Sequence, residues 1–248
     1  MNNTVLIYEE LASNAHPARQ TQLYDGWVLR FAGGYTNRAN SVNPLYPSTI
    51  HLETKIAECE KRYFAEGLPA VFKMSESVDP RLDGLLAEGG YELITPTYTM
   101  TADLRDKEFR PAGCDCVMTD RPVSEWLEAF FTLNNHSNTV RAIAGRLLEN
   151  TQNTALFVRL VKDGTTVACG SLVIERGYMG LFNVVVDETR RGIGYGKEIC
   201  ESLLSEAVRL GAHTAYLQVL QGNEKALNIY RRLGYEILYP YWYRIKRM

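Results

Sequence analysis

The chain has 248 residues, of which 46% are hydrophobic and 23% are charged, and its formal net charge is −2. This composition is typical of a folded globular protein and excludes general disorder. The near-neutral charge excludes an overall attraction to nucleic acid or to anionic membranes, so we expect neither as a partner.

The sequence lacks the signals that direct a chain to a membrane or out of the cell. Its opening residues, MNNTVLIYEELASN, lack the basic stretch and long apolar core of a secretory signal. Apolar runs elsewhere are shorter than the roughly 18 residues that span a bilayer. The five cysteines are scattered, and Cys114 and Cys116 have no second Cys or His pair at ligand spacing. We therefore expect a cytoplasmic protein without a disulfide framework and without a metal.

Strands and helices are predicted to alternate along the chain. In the first half, a strand pair around Gly26 and Gly33 precedes a helix at 48–66, a strand at 70–74, a helix at 80–88 and a strand that begins Gly-Tyr-Glu. In the second half, a strand pair around Gly170 and Gly177 precedes a helix at 194–210, a strand at 214–220, a helix at 224–233 and a second Gly-Tyr-Glu strand. This alternation predicts an α/β layered fold with mixed strand directions.

The two halves resemble each other. The segment GYELITPTY from Gly90 is similar to GYEILYPYW from Gly234, at an offset of 234 − 90 = 144 residues. The same offset pairs Gly67 with Gly211. Identity outside the last block is sparse, so a chance alignment is the alternative. The repeat, the length and the Arg-Pro-Ala-Gly break at 110–113 predict two domains, at 1–110 and 114–248.

The strongest chemical signal is a glycine-rich turn between a valine run and an amphipathic helix. The turn reads DETRRGIGYGK, and its glycines stand at 192, 194 and 196. Alternate glycines let backbone amides approach a ligand, and Arg190, Arg191 and Lys197 add positive charge at a helix N-terminus. A pyrophosphate suits this turn. The alternative is a tight structural turn with a solvated basic pair.

Two other known types of phosphate-binding loop do not match this turn. A P-loop needs Gly-Lys followed by Ser or Thr, whereas Glu198 follows Lys197. The dinucleotide fingerprint needs Gly-x-Gly-x-x-Gly, and these glycines alternate instead.

Two motifs carry a resemblance to the GNAT superfamily of N-acetyltransferases. The first is Arg191-x-x-Gly194-x-Gly196, and the second is Asn-x-x-Ala-x-x-x-Tyr-x-x-x-Gly-Tyr from residue 223. The match covers about residues 156–244 and implies two tandem domains, each with a mixed, mostly antiparallel sheet. It also implies that acetyl-CoA is bound by Val184, Val185, Val186, Arg191, Gly192, Ile193, Gly194, Tyr195, Gly196, Lys197, Asn223 and Ala226.

The resemblance implies direct attack of an amine on the thioester, with Tyr230 as the acid that protonates the leaving thiolate. A packed helix-face tyrosine is the alternative for Tyr230, and a helix N-cap is an additional role for Asn223. The base is not evident. Gln218 and Gly180 stand where relatives have glutamate, and Glu175 is the nearest carboxylate in the chain. A water chain or a low-pKa amine is the alternative base.

The first half lacks the anion loop, because Pro47, Ile50 and Leu52 stand at the positions of Arg191, Gly194 and Gly196. We interpret it as a degenerate GNAT-like half. Similar N-terminal halves in tandem relatives suggest that Arg38, Asn40 and Ser41 line the acceptor side, with a hydrogen-bonded turn as the alternative.

Three functions fit the sequence. The first is an N-acetyltransferase that uses acetyl-CoA on an amine-bearing small molecule or peptide. The second is a regulatory module that binds acyl-CoA without turnover, and the third is a nucleotide-phosphate protein. The sequence identifies neither the amine nor whether the protein is a monomer or a dimer.

Overall fold

The computed structural model describes residues 3–111 and 113–248, which form two compact units. The first unit contains the described residues up to Tyr98 together with Tyr239–Met248, and the second contains the described part of Thr99–Leu238. The predicted boundary at 110–113 therefore does not coincide with the division of the structure, which falls within two strands. Within the described residues, no helix has both the length and the apolar character needed to cross a membrane.

The helices and strands follow in this order. Up to the middle of the chain they are α1 (Asn3–Ala15), β1 (Gln20–Tyr24), β2 (Trp27–Phe31), β3 (Val42–Pro44), α2 (Leu52–Ala65), β4 (Ala70–Ser75), α3 (Pro80–Glu88) and β5 (Glu92–Asp103). The later elements are β6 (Asp115–Thr119), α4 (Ser124–Leu133), α5 (Asn138–Glu149), β7 (Thr154–Lys162), β8 (Thr165–Glu175), β9 (Tyr178–Val186), α6 (Tyr195–Arg209), β10 (Thr214–Leu220), α7 (Glu224–Arg232) and β11 (Glu236–Lys246).

Each unit contains a mixed sheet. In the first unit the strand order is β1-β2-β3-β4-β11-β5, with β3 and β4 parallel and β4 and β11 antiparallel. In the second unit the order is β5-β10-β9-β8-β7-β6, with β9 and β10 parallel and the strands from β9 to β6 antiparallel. The predicted α/β class and the mixed, mostly antiparallel strand directions are confirmed.

The 144-residue repeat is visible in the element bounds. Helices α2 and α6 end at Ala65 and Arg209, and strands β4 and β10 begin at Ala70 and Thr214. Helices α3 and α7 begin at Pro80 and Glu224, and strands β5 and β11 begin at Glu92 and Glu236. All four pairs are separated by 144 residues, so the repeat is confirmed in secondary structure. The loss of chemistry from the first half remains a prediction.

Buried apolar side chains hold each sheet against its helices. In the first unit the edges of Phe72 contact the rings of Trp27 and Tyr91, with centroids 5.7 and 5.5 Å apart. In the second unit the predicted apolar face of α6 is confirmed, because Ile199, Leu203, Leu204 and Ala207 are fully buried. Packing of this face fixes the position of the first turn of α6.

Candidate active site

Strands β9 and β10 separate part of the way along their length. They are paired from Tyr178 opposite Thr214 to Leu181 opposite Leu217. Beyond those pairs, β9 continues to Val186 and β10 continues to Leu220. On its other side, β9 remains paired with β8 up to Val186. The edge of β9 that carries the valine run is therefore directed into a gap between two strands.

A bulge in β9 explains the separation. The register with β8 shifts between Cys169 and Ser171, and Asn183 has a left-handed φ of 56°. The side-chain amide of Asn183 donates a hydrogen bond to Ser171 Oγ at 2.8 Å, which holds the bulge in place. Because a bulge bends its strand and increases the twist, β9 turns away from β10 at this point. Sequence reasoning missed Asn183, although an asparagine inside an apolar strand is a signal for a left-handed residue.

The glycine loop follows directly after β9. Asp187 Oδ1 accepts hydrogen bonds from the backbone N–H and the hydroxyl of Thr189, at 2.9 and 2.7 Å, which shapes the short 3-10 turn Glu188–Arg190. Gly192 and Gly194 have φ values of 86° and 109°, and a Cβ added at either would meet no atom of the described residues within 4 Å. The loop therefore needs glycine for its backbone conformation and leaves open space beside it.

The N-terminus of α6 presents unpaired amides. The first helical hydrogen bonds run from Lys197 N and Glu198 N to Gly194 O, at 3.0 and 3.1 Å, and no side chain in the described part of the chain caps the helix. The preceding N–H groups therefore have no partner within the helix. These groups and the helix dipole favour an anion at this end.

Gly196 brings three elements together at the start of α6. A Cβ at this position would lie 3.1 Å from Ile229 Cδ1 on α7 and 3.7 Å from Val186 Cγ2 on β9. The absence of a side chain therefore lets the helix start lie close to both elements.

Arg191 and Lys197 of the loop form solvent-exposed ion pairs. Arg191 pairs with Glu188 at 3.2 Å, and Lys197 pairs with Glu201 at 3.1 Å. The cationic side chains of both pairs are more than half exposed, so these ion pairs contribute little to stability and can rearrange around an incoming anion.

Helix α7 carries the second motif. Asn223 is its N-cap, because Asn223 Oδ1 accepts a hydrogen bond from Ala226 N at 3.2 Å, which confirms the predicted capping role. Tyr230 is half-buried, and its ring packs edge-on against Tyr235 with centroids 5.9 Å apart. Burial raises the pKa of Tyr230, and the neighbouring Cys200 adds to the effect. The phenol therefore stays protonated near neutral pH and suits an acid.

Comparison with known proteins identifies the family. The family described as "Probable histone acetyltransferase Rv0428c C-terminal" matches residues 5–243. "Uncharacterized N-acetyltransferase YobR" of Bacillus subtilis (strain 168) is 30% identical over 243 residues, covering 96% of this chain and 97% of the relative. "GCN5-related N-acetyltransferase from Kribbella flavida" superposes with a TM-score of 0.71 at 18% identity, covering 97% of this chain and 95% of that one. The chain belongs to the GNAT family of N-acetyltransferases.

A tandem GNAT structure is similar as well. "Tandem GNAT protein from the clavulanic acid biosynthesis pathway (without AcCoA)" has a TM-score of 0.68 and 15% identity, and the match covers 96% of this chain and 86% of that one. At this identity the likeness establishes the fold alone. It agrees with the repeated order of elements in the two units.

The structure explains why a glutamate is missing at Gly180. A Cβ at this position would collide with the Phe182 ring and would lie 2.7 Å from Cζ of Tyr216. These two rings pack edge to face, with centroids 5.9 Å apart, just where β9 and β10 separate. Aromatic packing thus occupies the space that a side chain at 180 would need. Gln218 follows the last paired residue of β10, and its Oε1 is buried without a hydrogen-bond partner in the described part of the chain.

Glu175 lies at the other end of β9. It is opposite Tyr178 at the β8–β9 turn, accepts a hydrogen bond from Asn153 at 3.0 Å, and lies 3.5 Å from Arg176. Val184 is six residues beyond Tyr178 (184 − 178 = 6), about 20 Å along the strand. This placement does not support Glu175 as the base, since a general base must reach the proton that it removes.

The three predicted acceptor residues lie in the first unit. Both oxygen and nitrogen of the Asn40 amide are engaged, because Oδ1 accepts from Ala32 N and Gly34 N while Nδ2 donates to the carbonyls of Tyr35 and Thr36. Ser41 is fully buried, and its carbonyl accepts from Arg30 N at 3.1 Å. Arg38 is half-buried. Asn40 thus organises a turn, and the acceptor role of the three residues remains a prediction.

Cys114 and Cys116 lie at the start of β6, where Cys114 N donates to Glu198 at 2.8 Å. Among residues 3–111 and 113–248, no three His, Cys, Asp or Glu side chains are grouped as metal ligands are.

Proposed function

We propose that this GNAT protein transfers the acetyl group of acetyl-CoA to a primary amine by direct attack on the thioester. The main support is one arrangement in the second unit. The open edge of β9 leads into the glycine loop, and the loop leads into the bare N-terminus of α6. Helix α7 carries Tyr230 next to Cys200 of α6, and the adjacent Ile229 lies against Gly196.

The residues present fit the proposed cosubstrate. An arm that contains amide groups can add to the edge of β9 at Val184, Val185 and Val186 as a short extra strand. A diphosphate can be bound by the amides from Gly192 to Gly196 and by Arg191 and Lys197, where the open space around the glycines leaves room for it. Asn223 and Ala226 lie at the start of α7, which follows β10, the strand on the other side of the same gap.

Acetyl-CoA supplies an activated acetyl group. The chain itself aligns the amine with that group, which accounts for a large part of the rate in such two-substrate reactions. Tyr230 donates a proton to the departing sulfur, and the amine loses one proton when its new bond to carbon forms. The amine attacks in its neutral form. Because positions 180 and 218 lack carboxylates, we assign the removal of the proton that it then loses to water, and water also restores the proton that Tyr230 gives to sulfur.

A thiol-release assay tests the proposal. Purified protein is incubated with acetyl-CoA and a panel of small amines, peptides with free N-termini and lysine-containing peptides, and free CoA thiol is measured. Release that depends on an amine and on Tyr230 supports the proposal.

A module that binds acyl-CoA without turnover is the second candidate. It is favoured by the absence of a carboxylate at two positions: aromatic rings fill the space beside Gly180, and residue 218 is a glutamine. Thermal stabilisation by acetyl-CoA without thiol release for any amine favours this candidate. Stabilisation by ATP with magnesium, but not by acetyl-CoA, contradicts both functions and favours the nucleotide alternative.

A further inference from the structure

The first unit contains a cavity of about 720 Å³ that the acetyl-transfer proposal does not use. It lies between the loop before α2, the start of α2, and helix α3. We name it the α2–α3 cavity and define it by Trp27, Thr49, Glu53, Val78, Leu82 and Glu88. Its volume is in the range of pockets that bind small molecules.

This cavity is the counterpart of the anion site in the second unit. The 144-residue offset places Ile50 opposite Gly194 (50 + 144 = 194), α2 opposite α6, and α3 opposite α7. By this correspondence, a second diphosphate would bind at the α2–α3 cavity.

A side chain already occupies the place in the first unit where the corresponding anion would bind. The carboxylate of Asp25 accepts hydrogen bonds from Thr49 N and Ile50 N, each at 2.9 Å, and from the Thr49 hydroxyl at 2.8 Å. Lys55 Nζ lies 3.2 Å from the same carboxylate, and its side chain is fully buried. These hydrogen bonds hold the pKa of Asp25 well below its usual value. The amides that correspond to the phosphate-binding loop thus bind a carboxylate of the protein itself.

The start of α3 is capped by a side chain, whereas α2 follows His51 without a side-chain cap from the described residues. Asp79 is the N-cap of α3, and its Oδ1 accepts from Arg81 N at 3.0 Å. The Arg81 guanidinium is 2.6 Å from the other carboxylate oxygen, so this cation is already paired. Among the described residues, the cavity therefore offers no cation without a carboxylate partner, and Glu53 in the first turn of α2 already supplies the negative charge that this helix start favours.

The remaining charge of the cavity is negative. Its ionised lining residues are Glu53, Asp79 and Glu88 against Arg81, which gives −3 + 1 = −2 with His51 neutral. Glu53 and Glu88 are exposed at the opening, whereas Trp27 and Leu82 are buried beneath it. An apolar floor below two carboxylates suits a ligand with an apolar body and a positive head.

We propose that the α2–α3 cavity binds an organic ammonium ligand, which is either a free amine with an aromatic or aliphatic body or the lysine side chain of a peptide. This binding does not depend on acetyl transfer in the second unit.

Calorimetry with matched probes tests the charge preference. Tryptamine has the required ammonium and apolar body, N-acetyltryptamine lacks the charge, and indole-3-acetate reverses it. The experiment uses the full chain without acetyl-CoA. We expect tryptamine to bind at least about tenfold more tightly than either comparator. Equal binding of indole-3-acetate overturns the proposal, because it shows an apolar cavity without charge selection.

Two variants locate the binding. The double variant Glu53→Gln, Glu88→Gln is expected to weaken tryptamine binding about tenfold, whereas Glu149→Gln, Glu236→Gln makes the same charge change in the second unit and is expected to leave it unchanged. Gly84 lines the cavity on α3, and a Cβ there meets nothing within 4 Å. Gly84→Phe therefore adds a ring to the cavity lining from a Cβ position that has open space, and we expect it to abolish binding.

The Gly84→Phe variant needs two controls for its folding. Circular dichroism checks that Gly84→Phe is folded, and thermal stabilisation by acetyl-CoA checks the second unit. Tryptamine binding that persists in folded Gly84→Phe overturns the proposal, since the amine then binds elsewhere.

The peptide acetyl-Gly-Lys-Gly-amide distinguishes the two sources of the ligand. Binding of tryptamine alone indicates a free amine, and tighter binding of the peptide indicates a lysine side chain.

Discussion

Arg244, four residues before the last in the chain, is joined to Asp83 on α3 by two hydrogen bonds. Its Nε donates to Asp83 Oδ1 at 2.9 Å, and its Nη2 donates to Oδ2 at 2.8 Å. Trp242 Nε1 donates to the same carboxylate at 2.9 Å. Both donors lie on β11, which pairs with β4 from Tyr241 to Lys246. The part of β11 from Tyr239 onward is therefore part of the structure of the first unit.

Removal of residues 239–248 is expected to unfold the first unit. The deletion removes the partner of β4 and the buried side chains of Tyr241, Tyr243 and Ile245, a loss of about 5 kcal/mol or more, which is comparable with the stability of a whole domain. Circular dichroism and thermal unfolding measure the effect. Deletion of Arg247 and Met248 alone, both exposed, is the control and is expected to leave the unfolding midpoint nearly unchanged. The longer deletion would contradict this prediction if it retained the circular dichroism spectrum and the unfolding midpoint of the full chain.

Asp83→Asn is expected to make the protein less stable by about 1–2 kcal/mol at pH 7, because a charge-assisted pair of hydrogen bonds is lost. The side-chain hydrogen bond from Arg244 lowers the pKa of Asp83. A lowered pKa in the folded state contributes stability that is present above the unfolded value, near 3.9, and is lost as the pH falls through the folded value. The difference between wild type and Asp83→Asn should therefore shrink below about pH 4.

Denaturant unfolding at several pH values measures this difference. Asp120→Asn changes an exposed carboxylate in a surface pair and is the control. A stability difference that stays constant from pH 7 to pH 3 would show that the charge of Asp83 is not responsible.

Tyr230→Phe is expected to lower the rate of amine-dependent thiol release by about 100-fold or more and to leave acetyl-CoA affinity within about threefold, because only proton donation is removed. Steady-state kinetics and calorimetry separate the two effects. Since burial raises the pKa of Tyr230, wild type should show no loss of rate from deprotonation of this residue below about pH 10. Equal rates for Tyr230→Phe and wild type would exclude the phenol as the acid.

Gly196→Asp is expected to weaken acetyl-CoA binding by about 100-fold or more. The new side chain meets Ile229 Cδ1 at 3.1 Å from its Cβ and places a negative charge at the proposed diphosphate site. Calorimetric titration with acetyl-CoA gives the affinity. Gly84→Asp is a matched control, because it makes the same substitution on a helix of the first unit where a Cβ meets nothing within 4 Å. Comparable affinities in both variants would argue against the loop as the binding site.

The sequence by itself determined the order of elements that the two halves share, the repeat, the apolar face of α6 and the position of the glycine loop, whereas it did not predict α1, α4 and α5. These features depend on residues close together in the chain, namely periodic side chains, caps and glycines, and such local patterns can be interpreted before the fold is known.

Only the tertiary structure decided four other features. They are the inclusion of the end of β11 in the first unit, the separation of β9 from β10, the aromatic packing that fills position 180, and the occupation of the first-half loop by Asp25. Each depends on a contact between residues that are far apart in sequence or on the register of two strands. The residues next to Gly180 or Asp25 in the sequence do not indicate which side chain or amide each will contact in the folded protein. These contacts are therefore known only from the tertiary structure.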